Sequence, residues 1–397
     1  MKKPPIKKIQ PLLDLKHFTI EVPGSKSYAN RALIISALAN GKSILKNMPF
    51  CDDTLVLIQA LKNLGISIQQ KNADLEIHGR GGDFDKPKKP LNLGNSGTAV
   101  RFLTAVLAGA SFESCITGDS RMKERPIADL VDALNTLGAD VQSTNGCPPI
   151  YVKGQKLRGG TTKIPGNISS QFISALLITA PYAKNDVTLE ISTPLTSASY
   201  IDTTLDILKI FGIKTYRNAS SFTIQAGQKY QPKTYEIPGD ASSASYFLAI
   251  AAIHGAEIIL KNMKWSSQGD FEFLKILKKM GGTLRHTDRT ILFKGPKTLK
   301  ALGKINMNDM PDSAMTAGIV AAFAKGKTLL TGLGNLKYKE SDRLKALESE
   351  LAKVGCQARS SDDSLEIIGN PSKLRGAMIE SHRDHRIAMC FAVLGTK

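Results

Sequence analysis

Six short stretches carry the residue types that bind anions. They are Gly24-Ser25-Lys26-Ser27, Asn95-Ser96-Gly97-Thr98, Asn167-Ile168-Ser169-Ser170, Asp240-Ala241-Ser242-Ser243, Asp312-Ser313-Ala314 and Asp384-His385-Arg386. Each is a polar entry to a run of small apolar residues with helical character. In five of the six, Ser, Thr, Asn or Asp stands at the entry, and taken singly such a residue is more simply a helix cap than a ligand group. Taken together the entries also carry cations: Lys26, Arg31, Arg101, Arg383 and Arg386. A helix N-terminus has unpaired N–H groups and partial positive charge, so several of them converging would suit a substrate with phosphate and carboxylate groups. Two further charged segments, Arg121 to Pro126 and Lys337 to Leu344, read as the openings of other helices. Charge alone favours a solvated helix start for each, with Pro126 in a first turn.

The entries must be positioned by a repeat. Their first residues are separated by 71, 72, 73, 72 and 72 positions. A second series, Leu-x-x-apolar-Gly, runs in step at Leu61 to Gly65, Leu134 to Gly138, Leu208 to Gly212, Leu277 to Gly281 and Leu351 to Gly355. Each of these glycines is expected to stop an amphipathic helix in the left-handed conformation. Short β-prone runs follow, such as Ile66 to Ile68 and Leu75 to Ile77. One unit therefore reads as βαβαββ over about 72 residues. Arg121 to Pro126 and Lys337 to Leu344 fall at one place in units two and five, just before the second helix, so they should face each other across a cleft. The fold class expected is α/β (α+β): two domains, each of three βαβαββ repeats, with helices packed against sheets. Residues 23–239 would form one domain, residues 1–22 with 240–397 the other, with a crossing near Pro238-Gly239 and the substrate cleft between them. The sixth repeat is incomplete, because a last helix stop expected near position 427 lies beyond Lys397. Weakened activity and stability, with exposed apolar surface, are the expected consequence.

Composition narrows the class. The 397 residues are 42% hydrophobic and 22% charged, ordinary for a globular protein, with a formal net charge of +18. No apolar stretch is long enough to span a bilayer, and the basic start Met-Lys-Lys-Pro-Pro has no apolar core behind it, so a cytoplasmic protein is expected. The five cysteines have no CxxC spacing and the six histidines no ligand cluster, which leaves no metal site in view. Lysines are spread over helix faces and loops without interleaved aromatics, so nucleic acid is the weakest reading of the charge and small anions remain open. Gly41-Lys42-Ser43 and Gly326-Lys327-Thr328 resemble the tail of a phosphate-binding loop. Neither has the earlier glycine, and both follow a helix, so they read as helix stops.

These motifs resemble the enolpyruvyl transferase family, specifically its 3-phosphoshikimate 1-carboxyvinyltransferase (5-enolpyruvylshikimate-3-phosphate synthase) branch. The likeness rests on Pro23 to Arg31, Leu93 to Thr98, Gly118 to Pro126, Ser169-Ser170-Gln171, Gly239 to Ser243, Pro311-Asp312, Lys339 to Leu344 and Asp384 to Arg386. It spans residues 20 to about 395. It implies an inside-out α/β barrel-like fold in two domains and transfer of the enolpyruvyl group of phosphoenolpyruvate to the 5-hydroxyl of shikimate 3-phosphate by addition–elimination, with release of phosphate. It also implies no cofactor, no metal, no nucleic-acid or membrane partner, and a monomer. Lys26, Ser27, Arg31, Ser169, Ser170, Ser197, Tyr200, Asn335 and Lys339 would hold shikimate 3-phosphate. Gly97, Arg125, Gln171, Arg343 and Arg386 would hold phosphoenolpyruvate, with Asn95 and Thr98 beside them.

Such chemistry needs an acid facing the methylene, a base at the hydroxyl and cations for two anions. By resemblance Glu340 is the acid, Asp312 the base, and Lys26 stabilises charge. His385 is either a secondary proton carrier or a structural histidine. Relatives continue past this sequence's end with a lysine that contacts phosphoenolpyruvate. The sister UDP-N-acetylglucosamine enolpyruvyl transferase shares the repeat but carries a cysteine in the loop that here reads Gly118-Asp119-Ser120-Arg121-Met122. An RNA 3′-phosphate cyclase would need nucleotide chemistry for which no motif is present. A truncated, catalytically impaired or dead relative is the remaining alternative, favoured only by the missing end, since Asp312, Glu340, Lys26 and the arginines are all present. Gly97 implies a pocket with room for glyphosate. Gly97→Ala should weaken inhibition in a steady-state assay, and unchanged inhibition would count against that pocket.

Overall fold

The computed structural model describes residues 6–397; the basic Met-Lys-Lys-Pro-Pro start, the first five residues of the expected second domain, lies outside them. Eleven helices are described: α1 Lys26–Leu38, α2 Asp52–Asn63, α3 Gly97–Ala108, α4 Ala128–Thr136, α5 Ser170–Thr179, α6 Ala198–Ile210, α7 Ala241–His254, α8 Glu272–Lys279, α9 Ala314–Ala322, α10 Arg343–Lys353 and α11 His385–Leu394. The odd-numbered helices are the small-residue runs. Short side chains let them sit together, α1, α3 and α5 in one group and α7, α9 and α11 in another. They are buried nearly all round, whereas α2 and α10 have one exposed face.

Five four-stranded sheets cover these groups. In each, a leading strand pairs in parallel with the strand after the first helix, and two antiparallel strands follow. In unit five, for example, Gly303–Asn306 runs parallel to Gly326–Thr331, which pairs antiparallel with Ser364–Gly369, and that with Gln357–Ser360. The stop glycines behave as the pattern requires: Gly65, Gly138, Gly212, Gly281 and Gly355 have φ of +85°, +93°, +92°, +111° and +85°.

Two leading strands are exchanged. The strand just before α1, His17–Glu21, pairs with Glu257–Lys261 of unit four. Unit one takes its leading strand from Thr234–Glu236, which pairs with Asn40–Lys46. The chain therefore passes twice between two hydrophobic cores, one built from Tyr28 through Ile237, the other from Val22 and Ala241 through Leu394. At the double crossing the Ser25 N–H donates to the Pro238 carbonyl at 2.7 Å and the Asp240 N–H to the Pro23 carbonyl at 2.9 Å. Gly24 and Gly239 face each other here. A Cβ on either would lie 2.0 Å from a backbone carbonyl oxygen, of Asn47 and Asn262 respectively, so only glycine fits.

Three local readings need correction. Gly41 and Gly326 are not helix stops but lie at the start of strands, with φ of +122° and +124°; α1 is closed earlier, by Ala39 in an extended conformation. Pro126 is not in a helical first turn, since α4 opens at Ala128 after a short 3-10 turn over Met122–Glu124. Among the first-helix entries, side-chain capping is made by Ser169, Asp240 and Asp384 only. Ser25 and Ser96 do not cap α1 and α3, and Asp312 is drawn instead into ion pairs.

Candidate active site

The six first-helix entries lie together. The backbone N–H of Lys26 donates to Asp240 at 3.0 Å, Gln171 donates to Thr98 Oγ1 at 3.2 Å, and Arg386 reaches Asp312 at 2.6 Å. At the centre is the Arg343 guanidinium, 1% exposed, bound to three carboxylates: Asp312 at 3.1 Å, Glu340 at 2.6 Å and Asp384 at 2.8 Å. Burial opposes its charge, but those carboxylates outweigh burial and raise its pKa. Arg386 donates its other nitrogen to the Tyr246 hydroxyl.

The same pairing fixes both candidate proton-transfer groups. Burial would raise the pKa of Asp312, yet Arg386 and Arg343 hold it far below the usual carboxylate range. Glu340 is likewise depressed, by Arg343, Arg125 and Lys26 against burial. Lys26 is paired with Asp53 at 2.6 Å, and Asp53 with Glu340 outweighs burial to raise its pKa. Burial, with Arg343 and Arg125 close by, lowers the Lys339 ammonium to about 8 despite Asp312. Partial burial, Lys26 and Arg386 push His385 down to about 4, so it is neutral at neutral pH.

The remaining expected residues divide in two. Arg125 is buried and donates to the Asn95 side chain and carbonyl at 3.0 and 2.9 Å, while its Nε has no partner among the described residues. Asn335 donates to Ser197 Oγ at 3.0 Å, Ser197 having a φ of +56°. Ser170 is the first residue of α5, just after the Ser169 cap. Gly97 sits against cations: a Cβ there would lie 2.5 Å from Arg125 Nη2 and 2.7 Å from Arg101 Nη1. A cavity of about 660 Å³ opens beside Asn335, lined also by Thr196, Asn308 and Lys337. Arg31 is different. It is 2% exposed, with nitrogens on Thr204, Ser174, the Tyr200 carbonyl and the Ser27 carbonyl, so it ties α1 to α5 and α6.

Residues that the motifs did not single out are Asp53 and Asp270; Arg101 and Arg121 enter there as cations without an individual role. A positional signal exists for both aspartates. Asp53, Arg125, Ser197, Asp270 and Arg343 all stand at the entries of second helices, 72, 72, 73 and 73 positions apart. The two charged segments do meet. Arg121 donates through Nε to the Lys339 carbonyl at 3.2 Å, and through Nη2 to the carbonyls of Lys337 and Lys339 at 3.0 and 3.1 Å.

This is a two-core α/β protein with cations and buried carboxylates gathered at its helix ends. A family model described as EPSP synthase (3-phosphoshikimate 1-carboxyvinyltransferase) matches residues 15–397. Relatives of that name include one from Pseudoalteromonas translucida, 42% identical over 95% of this chain and 89% of its own length. Another, from Colwellia psychrerythraea, is 44% identical over 94% and 89%. The solved EPSP synthase of Acinetobacter baumannii superposes with a TM-score of 0.80 at 31% identity, covering 98% of this chain and 91% of that one. The chain belongs to the EPSP synthase family. It is an enzyme whose activity is 3-phosphoshikimate 1-carboxyvinyl transfer, a step of aromatic biosynthesis through the shikimate pathway, with shikimate 3-phosphate and phosphoenolpyruvate as substrates. No helix among the described residues is long and apolar enough to cross a membrane.

Arg121 touches the carbonyls on either side of Tyr338 and so holds the segment that presents Lys339 and Glu340. Arg121→Ala should lower kcat about tenfold, equivalent to one charge-assisted hydrogen bond of about 1.4 kcal/mol. Steady-state kinetics checks this, with amide hydrogen exchange over residues 337–340 expected to speed up in the same variant.

Proposed function

We propose that the reaction runs where the helix entries converge, with the residue roles that the family resemblance implies and this geometry accommodates. Shikimate 3-phosphate lies against Ser27, Ser169, Ser170, Ser197, Tyr200, Asn335 and Lys339, its phosphate drawn to the α5 N-terminus and Lys339. Arg31 shapes this wall through its four protein contacts. Phosphoenolpyruvate lies against Gly97, Arg125, Gln171, Arg343 and Arg386, with Asn95 orienting Arg125 and Thr98 orienting Gln171. Residues 23–239 act as one body and residues 1–22 with 240–397 as the other. The enzyme works as a cytoplasmic monomer.

The observation that carries this reading is the Arg343 cluster. A guanidinium already bound to both Asp312 and Glu340 couples anion binding to proton transfer. In the structure both carboxylates are held ionised, which suits neither an acid nor a strong base. An arriving anion shares Arg343, Arg386 and Arg125, and its charge offsets theirs. The pKa of Glu340 then rises, so that it can carry the proton that the phosphoenolpyruvate methylene receives. Asp312, relieved in the same way, accepts the 5-hydroxyl proton as the hydroxyl oxygen bonds the enolpyruvyl carbon. In the second half Glu340 takes back a methyl proton and the carbon–oxygen bond to phosphate breaks. Lys26, kept charged by Asp53, stabilises negative charge at this centre. His385, neutral and beside Lys26, orients rather than donates.

Phosphate release should require both substrates, and Glu340→Gln should slow it roughly 10²–10⁴-fold with little change in shikimate 3-phosphate binding. Release from phosphoenolpyruvate alone, or unaffected turnover in the variant, would defeat the assignment. A second outcome follows from Lys339. Its ammonium is lowered to about 8, so it is partly neutral at pH 8. A bound phosphate favours the charged form, raises that value, and must draw in protons. Calorimetry of shikimate 3-phosphate binding in buffers of different ionisation enthalpy should show proton uptake at pH 8 that fades by pH 6. Lys339→Met should abolish it.

A further inference from the structure

Asp270 is a buried carboxylate that the mechanism above does not use. It is 4% exposed, in the short turn Gly269–Phe271 just before α8, at the repeat position that supplies Asp53, Arg125, Ser197 and Arg343 in the other units. Three hydroxyls face it. Ser242 at the start of α7 donates to Oδ2 at 2.8 Å, Ser313 at the start of α9 donates to Oδ1, and the Tyr200 hydroxyl on α6 lies 3.5 Å from Oδ2. The same Tyr200 hydroxyl lies 3.0 Å from Asp312 Oδ2 and donates to it. One phenol therefore sits between two carboxylates and can donate to only one of them at a time.

The two carboxylates differ in their charged neighbours. Asp312 is gripped by two arginines, whereas none is bonded to Asp270 among the described residues. The titratable groups facing Asp270 are Asp312, Tyr200 and, at longer range, Arg386. Burial and then Asp312 push it up to about 6, although Ser313, Arg386 and Ser242 pull the other way. Burial and both carboxylates keep Tyr200 protonated, its pKa well above the ordinary tyrosine value. Asp270 is thus the stronger base of the pair, and a proton arriving at Asp312 has a downhill route.

We propose that Asp270 is the store for the substrate's hydroxyl proton, reached from Asp312 through the Tyr200 hydroxyl. The proposal rests on the reading that Asp312 faces the 5-hydroxyl. In the addition half, the O–H bond of that hydroxyl breaks as its oxygen bonds the enolpyruvyl carbon, and the proton goes to Asp312. Asp312 then donates to the Tyr200 oxygen while Tyr200 donates its own proton to Asp270. Tyr200 stays neutral, Asp312 returns to the carboxylate, and Asp270 becomes the acid. In the elimination half the path runs backwards and the proton leaves on phosphate as its bond to carbon breaks. Asp270 ends ionised and no net charge is created.

The test is the pH dependence of kcat for the full chain with both substrates saturating. Asp270 can receive a proton only when ionised, so wild-type kcat should fall as pH drops through about 6. Asp270→Asn should turn over about 10- to 100-fold more slowly, with both KM values within about twofold, and its acid limb should move to lower pH, where Asp312 titrates. Asp270→Glu should restore part of the rate and of the limb. An unchanged limb in Asp270→Asn, or a rate within twofold of wild type, would overturn the proposal. If Asp270→Asn does not fold, Tyr200→Phe decides, because it breaks the bridge and leaves both serine contacts; a retained limb overturns the relay. Where both fold, losses in the double variant that merely add would also overturn it. Failure of the wild type to consume the two substrates would instead fall on the reading of the reaction.

Discussion

Everything at this site depends on one buried cation. Arg343 at 1% exposure is surrounded by Asp312, Glu340 and Asp384, and Arg386 binds Asp312 from the other side. Taking such charges out of water costs several kcal/mol per ion, and their attraction offsets that only when geometry is good and the remaining donors are satisfied. The fold meets this condition by bringing three chain segments to the guanidinium: the turn before α9, the segment before α10 and the cap of α11. Asp384 does double duty. It caps α11 by accepting from the Arg386 N–H at 2.9 Å, and it accepts from Arg343 and from Ser341. Removing one member would leave the others buried and unpaired, which costs more than the pair contributes.

The repeat explains how so many charges reach one place. Helices made of Ala, Ser, Gly and small aliphatics pack three together with little cross-section, so their first residues lie close. The sheets outside carry the larger hydrophobic surface. A helix entry is also where side chains compete least with backbone hydrogen bonding, because the first four N–H groups have no partner within the helix. Each unit therefore offers two functional positions, at its first and second helix. Units one to three and units four to six place like residues on the same geometry with unlike partners: Arg125 in unit two answers Arg343 in unit five but is bonded to Asn95 rather than to carboxylates, and Asp53 in unit one pairs with Lys26 where Asp270 in unit four accepts from Ser242 and Ser313. Arg121 then joins the halves by its grip on the Lys337 and Lys339 carbonyls, a contact between backbone and guanidinium that no side-chain pattern specifies.

Most of the architecture was legible because two interleaved periods repeat, and the left-handed glycines that end the second helices confirm the second of them. The division of residues 1–22 from 23–239 anticipates a crossing of the chain, but not which strands the two exchanged leading strands join. His17–Glu21 and Thr234–Glu236 are both short and pair in parallel, and neither alternation nor propensity says which neighbour a parallel strand chooses. Asp53 and Asp270 were hidden for a different reason. Acidic residues at a helix start are favoured by the helix dipole alone, so Asp53 reads as ordinary, and its ion pair with Lys26 appears only when α1 and α2 are brought together. Gly41 and Gly326 misled because a glycine shortly after a helix signals a stop, whereas here the strand begins at once and the positive φ belongs to its first turn of pleat. Arg31 shows what a motif leaves out. The resemblance makes it an anion ligand, and the fold adds four protein oxygens that fix its guanidinium in place.

The electrostatics also account for why so basic a protein buries acids at its centre. A site lined only with arginines would bind two anionic substrates but would have no group to move a proton, since arginines do not titrate. Carboxylates placed among those arginines stay ionised and keep the cations ordered in fixed positions, ready to receive charge. In the proposed mechanism they become useful only when an anion takes a share of the same arginines. Binding and chemistry then use one set of contacts, and the free energy of anion binding is spent in part on changing the basicity of Asp312 and Glu340 rather than on affinity alone. Asp270 fits this scheme as the buried carboxylate to which, among the described residues, no arginine is bonded, joined to Asp312 by the Tyr200 hydroxyl between them.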